Sequence, residues 1–160
     1  MNANILFTNT IKVQLIFLNS YLKLYSIPLK NVYTTRIDVD TGYKENGYDI
    51  TYHAGNINLY SIKNLQSISV EIYGAYDEGA GAYFNENYQY LVTSNWWHYQ
   101  GNKYVGTKNI NQTIINNLKK NNTNVINIKL HVYDLPHNID EDVAGGARGY
   151  LLFKITEMSQ

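Results

Sequence analysis

The chain contains no cysteine, so a disulfide framework, a thiolate zinc site and a cysteine nucleophile are all excluded. Proline is almost missing, with only Pro28 and Pro136, and no Pro-, Gly- or Ser-rich stretch marks a hinge between domains. Charge is scarce as well. Charged residues make up 16% of the chain, well under the usual quarter or so. Thirteen basic and thirteen acidic residues leave a formal net charge of zero. Affinity for nucleic-acid backbones comes from clustered cations that displace counterions. The one adjacent basic pair, Lys119-Lys120, lies among asparagines, which argues against nucleic acid and against a basic membrane-surface helix. Long apolar runs are missing too. The stretch from Ile11 to Leu18 is broken by Lys12 and Gln14 and is far too short to span a bilayer. The opening Met1-Asn2-Ala3-Asn4 lacks the basic start of a signal peptide. The expectation is therefore no membrane span, with cytoplasmic synthesis followed by assembly or by release along a non-classical route.

What fills the space is neutral and polar. There are 16 tyrosines and 22 asparagines among 160 residues. Asparagine favours turns and weakens helices, whereas tyrosine suits the half-buried face of a strand. The length suits one domain over residues 1–160.

Period-two alternation dominates the chain. Ile11, Val13, Leu15 and Phe17 alternate with Lys12 and Gln14 before the pattern blurs at Ile16 and Leu18; Leu22 and Leu24 alternate with Lys23 and Tyr25, and polar neighbours likewise separate Ile37 from Val39 and Ile68, Val70 and Ile72 from one another. Ile126, Ile128, Leu130 and Val132 follow, and Leu151, Phe153 and Ile155 close the series. Each run reads as a strand with one face in a core and one face wet. Asn46-Gly47 between Arg36–Tyr43 and Tyr48–His53 predicts a hairpin with a type I′ turn. One helix is expected, where Ile110, Ile114, Ile115 and Leu118 share a face before Lys119-Lys120 and a run of asparagines. Seven to nine short strands and one helix predict an all-β fold. The expected form is an antiparallel two-sheet β-sandwich of jelly-roll or Greek-key type, with a closed barrel as the rival.

Three segments carry candidate chemistry. Gly74 to Tyr83 joins flexible glycines to the hard oxygen donors Asp77 and Glu78, flanked by Tyr76 and Tyr83; it reads either as a polar turn or as part of a calcium site. The acidic stretch holding Asp134, Asp140, Glu141 and Asp142 is either a solvated loop or a second source of calcium ligands. Asp77, Glu78, Asp134, Asp140 and Asp142 are the candidate metal ligands, with Ca2+ as the one cofactor considered. Both tryptophans fall in Asn95-Trp96-Trp97-His98-Tyr99. Adjacent strand residues point to opposite faces, so one ring can be packed while the other is presented. An exposed ring stacks on the apolar face of a sugar while Asn and His bond its hydroxyls.

Catalytic patterns are missing: there is no His-Glu-x-x-His and no Gly-x-Ser-x-Gly. Two functions remain in view. One is a lectin-like or receptor-binding β-sandwich that meets carbohydrate or a cell-surface receptor through Tyr76, Tyr83, Asn95, Trp96, Trp97, His98 and Tyr99. The other is a self-assembling structural subunit of a capsid, appendage or crystalline inclusion. Neutral charge and abundant Tyr and Asn suit close packing of copies, so a homo-oligomer is expected.

Overall fold

The computed structural model describes residues 30–41, 50–76, 79–93, 103–133 and 146–158, all within the compact unit Lys30–Ser159. Eight strands and one helix follow one another: β1 (Lys30–Asp40), β2 (Ile50–Asn58), β3 (Leu65–Tyr76), β4 (Gly79–Phe84), β5 (Asn87–Thr93), β6 (Tyr104–Asn109), α1 (Gln112–Lys120), β7 (Val125–Val132) and β8 (Ala147–Met158). The alternating runs at Ile37, Ile68, Ile126 and Leu151 are strands, and their apolar members are buried. The early runs around Ile11–Phe17 and Leu22–Leu24 lie outside the described residues.

The strands form two four-stranded sheets, ordered β1-β8-β3-β6 and β2-β7-β4-β5, and every pairing is antiparallel. Strand 1 pairs with 8, 2 with 7, 3 with 6 and 4 with 5. This nested pattern is one long double ribbon folded over on itself, which is the jelly-roll form of the sandwich. The barrel is not observed: among the described residues no strand pairing links the two sheets.

The inner faces meet in one core. Ile68, Val70, Ile72, Leu151, Phe153 and Ile155 come from one side, and Ile57, Ile126, Ile128, Leu130, Ala82 and Phe84 from the other. Phe84 and Phe153 touch edge to face across the gap, with ring centres 6.2 Å apart. Ile114, Ile115 and Leu118 of α1, with Ile110 before it, add the helix's apolar stripe to the same core. Asn122 ends the helix with φ 48°. The Asn122 N–H bonds to the Lys119 carbonyl at 3.1 Å and the Thr123 N–H to the Leu118 carbonyl at 3.0 Å, a Schellman cap.

Two expectations need correction. The predicted hairpin does not form: β1 pairs with β8 and β2 with β7, so the two segments belong to opposite sheets. Residues 42–49, including Asn46-Gly47, lie outside the described set. Nor is Gly74–Tyr83 chiefly a turn. It is the end of β3 and most of β4, with Asp77 and Glu78 between them and outside the described residues.

Topology sorts the connections by end. The described residues that border 42–49, 77–78, 94–102 and 134–145 gather at one end of the sandwich. There the Thr41 N–H bonds to the Ala147 carbonyl at 3.0 Å, the Gly74 N–H to the Lys103 carbonyl at 2.9 Å and the Tyr133 N–H to the Gly79 carbonyl at 3.0 Å. The turns at 59–64 and 85–86, together with α1, occupy the other end.

Candidate functional site: an aromatic sheet face

Along β7 the inward residues are Ile126, Ile128, Leu130 and Val132, which leaves Lys129 and His131 pointing outward. Cross-strand register puts His131 beside Thr51 of β2 and Gly81 of β4, and Gly81 beside Tyr90 of β5. Tyr83 is opposite both Tyr88 and Lys129. Tyr83, Tyr88, Tyr90, His131 and the following Tyr133 therefore collect on the outer face of the β2-β7-β4-β5 sheet, running from the 85–86 turn (Tyr83, Tyr88) toward the opposite end of the sandwich (Tyr133).

Gly81 is the floor of this cluster. A Cβ there would meet the Tyr88 hydroxyl at 2.1 Å and its Cζ at 2.3 Å, so the Tyr88 ring lies across the glycine. The Tyr88 and Tyr133 hydroxyls are hydrogen-bonded. His131 meets Tyr133 edge-on at 4.7 Å and Tyr88 at 6.4 Å. Tyr83 and Tyr88 are tilted by 54° at 4.9 Å, and Tyr90 and Tyr133 by 42° at 6.0 Å. Thr51 Oγ1 and His131 Nδ1 are hydrogen-bonded at 2.9 Å, which orients the imidazole. Removal from water raises the Tyr88 hydroxyl above the ordinary tyrosine range, helped by the bond to Tyr133. Tyr90 is raised in the same direction by removal from water, then by Tyr133. Both residues nevertheless remain exposed, at 37% for Tyr88 and 42% for Tyr90. Contacts among these rings are edge-on or tilted rather than stacked.

The outer face of the other sheet is built differently. The Arg36 guanidinium sits 3.9 Å over the Tyr150 ring. Tyr150 in turn stacks on Tyr73 at 4.4 Å and 12°, and Tyr73 meets Tyr104 at 5.5 Å. This row crosses all four strands, from β1 to β6. Glu71 is held by Lys154 and by the Tyr73 hydroxyl, and the Lys154 contact lowers its pKa. Here ring faces are consumed by one another and by a cation, so the row braces its sheet.

No protein-family model, curated protein or solved structure matches this chain. The site is read from its own geometry alone.

Tyr83 is half-buried and stands in the cluster. Tyr76 is a correction. Its ring is fully buried in the core, because Tyr76 continues the inward series of Val70, Ile72 and Gly74 along β3; it offers no face for stacking. Asn95, Trp96, Trp97, His98, Tyr99 and the acidic residues Asp77, Glu78, Asp134, Asp140 and Asp142 lie outside the described residues. Among the described residues no group of three or more His, Asp or Glu could hold a metal ion, and no helix is long and apolar enough to cross a membrane. A shallow cleft of about 260 Å³ at the helix end is lined by Leu59, Ile62, Leu65 and Leu118, with Lys63 and Lys119 beside them.

No sequence pattern groups Tyr88 and Tyr90 with His131 and Tyr133. Within each pair the signal is present: Tyr88 and Tyr90 are two apart, as are His131 and Tyr133, so each pair shares a strand face. What was missing was the pairing of β4 with both β5 and β7, which no local pattern supplies.

Proposed function

We propose that this protein is a non-catalytic, lectin-like recognition module that meets carbohydrate or a glycan-bearing receptor. The observation that carries the reading is the open cluster of Tyr83, Tyr88, Tyr90, Tyr133 and His131 on one sheet face. Tyrosine offers broad rigid contact area at low entropic cost, with a hydroxyl able to bond sugar hydroxyls. A calcium ion held by Asp77, Glu78, Asp134, Asp140 and Asp142 belongs to the same proposal. The strand ends bordering those segments gather at one end of the sandwich, the end toward which Tyr133 and His131 lie, which supports a site shared with that part of the cluster. Glycan-array and haemagglutination assays, with and without chelator, test both parts. Binding that Tyr88→Ala and Tyr90→Ala each weaken about tenfold is expected from the loss of one stacking ring. A folded protein that binds no glycan or cell surface defeats the reading, and chelator-insensitive binding removes calcium from it.

A second reading, a self-assembling structural subunit, is favoured by where large apolar side chains are exposed. Val32 and Tyr33 lie on β1, Tyr60 after β2, Tyr104 on β6 and Val125 at the start of β7, so contacts on several sides are available. Electron microscopy of concentrated protein discriminates: filaments or lattices support this reading, and dispersed monomers sink it.

A further inference from the structure

An open sheet edge is a row of unpaired backbone groups ready to receive another strand, and proteins blunt such edges with bulges, charge or proline. Among the described residues the two sheets end in β1, β6, β2 and β5. Three of these carry an extra, unpaired residue: Ala54 in β2, Leu91 in β5 and Val105 in β6. Each bulge breaks the regular ladder that an incoming strand would have to match. β1 has none. Its eleven residues run in unbroken register with β8, from Lys30 opposite Met158 to Asp40 opposite Arg148. It contains no proline; its charges are of both signs, with Arg36 and Asp38 paired within the strand at 2.7 Å, and Lys30 to Thr34 are exposed on both faces of the strand, with Val32 at 57%.

We propose that β1 is a pairing edge for a second copy of this chain, joined antiparallel about a twofold axis at Thr34. The register follows from the side chains. Lys30, Val32, Thr34, Arg36 and Asp38 share the outward face of β1, since Ile37 and Val39 point into the core. With Thr34 opposite Thr34, Lys30 of each copy faces Asp38 of the other, and Val32 lies along the aliphatic stem of Arg36. Moving the axis to Tyr33 sets Lys30 against Arg36, a like-charge pair. Moving it to Thr35 sets Val32 against the Asp38 carboxylate. An axis between residues would place outward side chains opposite inward ones, against the pleat. Thr34 is the centre that satisfies charge, apolar contact and pleat together. The result is an isologous dimer with one continuous eight-stranded sheet.

This pairing stands apart from both readings above. A dimer without any ligand removes only the recognition face, a glycan-binding monomer removes only the pairing, and lattices that form without a β1 contact likewise overturn the pairing alone. The cysteine-free chain permits a direct test. In Thr34→Cys the two sulfurs fall on the axis, at the roughly 4.5–5.5 Å Cα spacing of antiparallel neighbours, within disulfide range. In Val32→Cys they are four residues out of step, about 14 Å apart. Under mild oxidation Thr34→Cys should become predominantly a covalent dimer while Val32→Cys stays mostly unlinked. Sedimentation of the unmodified chain should show a concentration-dependent dimer, which Val32→Lys shifts to monomer by setting a lysine against Arg36. A monomer at every concentration, or equal cross-linking of the two cysteine variants, overturns the proposal.

Discussion

Glu157 sits where three parts of the chain meet. Its carboxylate accepts hydrogen bonds from the Lys63 N–H at 2.7 Å, the Asn64 N–H at 3.2 Å and the Tyr33 hydroxyl at 3.0 Å. It thereby ties β1 and the turn before β3 to the end of β8. The Lys63 N–H is the main cause of its lowered pKa; burial opposes it as the next largest effect, and Asn64, Tyr33 and Asn31 add to the lowering. Because the folded value lies below the unfolded one, the stabilisation is present above the unfolded value of about 4.3 and is lost as pH falls through the folded value. Glu157→Gln should flatten the acid limb of a stability-against-pH curve measured by urea unfolding; an unchanged acid limb would contradict this. Gly81 makes a different kind of demand. A methyl group there needs the space of the Tyr88 ring, so Gly81→Ala should swing Tyr88 away from Tyr133. Burial and the Tyr133 bond hold the Tyr88 proton, so an ultraviolet titration of Gly81→Ala should show one tyrosine moving down toward the ordinary range near 10. A titration identical to that of the parent chain would mean the ring had stayed.

Individual elements depend on a few polar contacts that no hydropathy pattern reveals. Gln89 is buried on β5, donating to the Asn109 carbonyl at 2.8 Å and accepting the Asn111 N–H at 2.8 Å. It fastens the last residue of β6 and the entry to α1, where Asn111 makes no side-chain cap of its own. Gln89→Ala strands both backbone groups and should cost about 1–3 kcal/mol in denaturant unfolding. At the other end of α1, Asn122→Ala should cost about 1 kcal/mol, since the left-handed backbone there penalises a Cβ that cannot hydrogen-bond locally. Asn122→Gly should be neutral or slightly stabilising. Strands with one oily and one wet face, such as β3, β7 and β8, could be read directly from the chain. β4 could not. Its inward Ala80 and Ala82 are too small to register as an apolar run, and its outward Gly81 is a seat for a ring borrowed from β5. The Asn46-Gly47 signal misled for the opposite reason. It describes a local turn, whereas β1 and β2 find their partners at β8 and β7, far along the chain. Of the aromatic face, only Tyr83 was legible, because its neighbours join it through that same long-range pairing.

At the scale of the whole molecule, tyrosine sets an alkaline limit. Burial raises Tyr76 and Tyr88 well above the ordinary value, and it raises Tyr73 and Tyr90 as well. Tyr33 is raised chiefly by its bond to Glu157. In each case the folded chain keeps a proton that the unfolded chain releases above about pH 10. Stability is therefore full below that point and is lost as pH rises from there through the higher folded values. Absorbance at 295 nm, followed alongside circular dichroism, should show a group of tyrosines ionising only as the sheets come apart. Full ionisation near pH 10 with the sheet signal intact would refute this. The nested pairing also has a consequence during synthesis. β8 lies between β1 and β3, so a ribosome that has delivered everything up to β7 has made a sheet with its middle strand missing. The two flanking strands wait with oily sides uncovered until β8 itself emerges, so this sheet closes only then. A nascent chain stalled just short of Ala147 should be a ready client for chaperones, and a full-length chain should fold in milliseconds to seconds rather than microseconds.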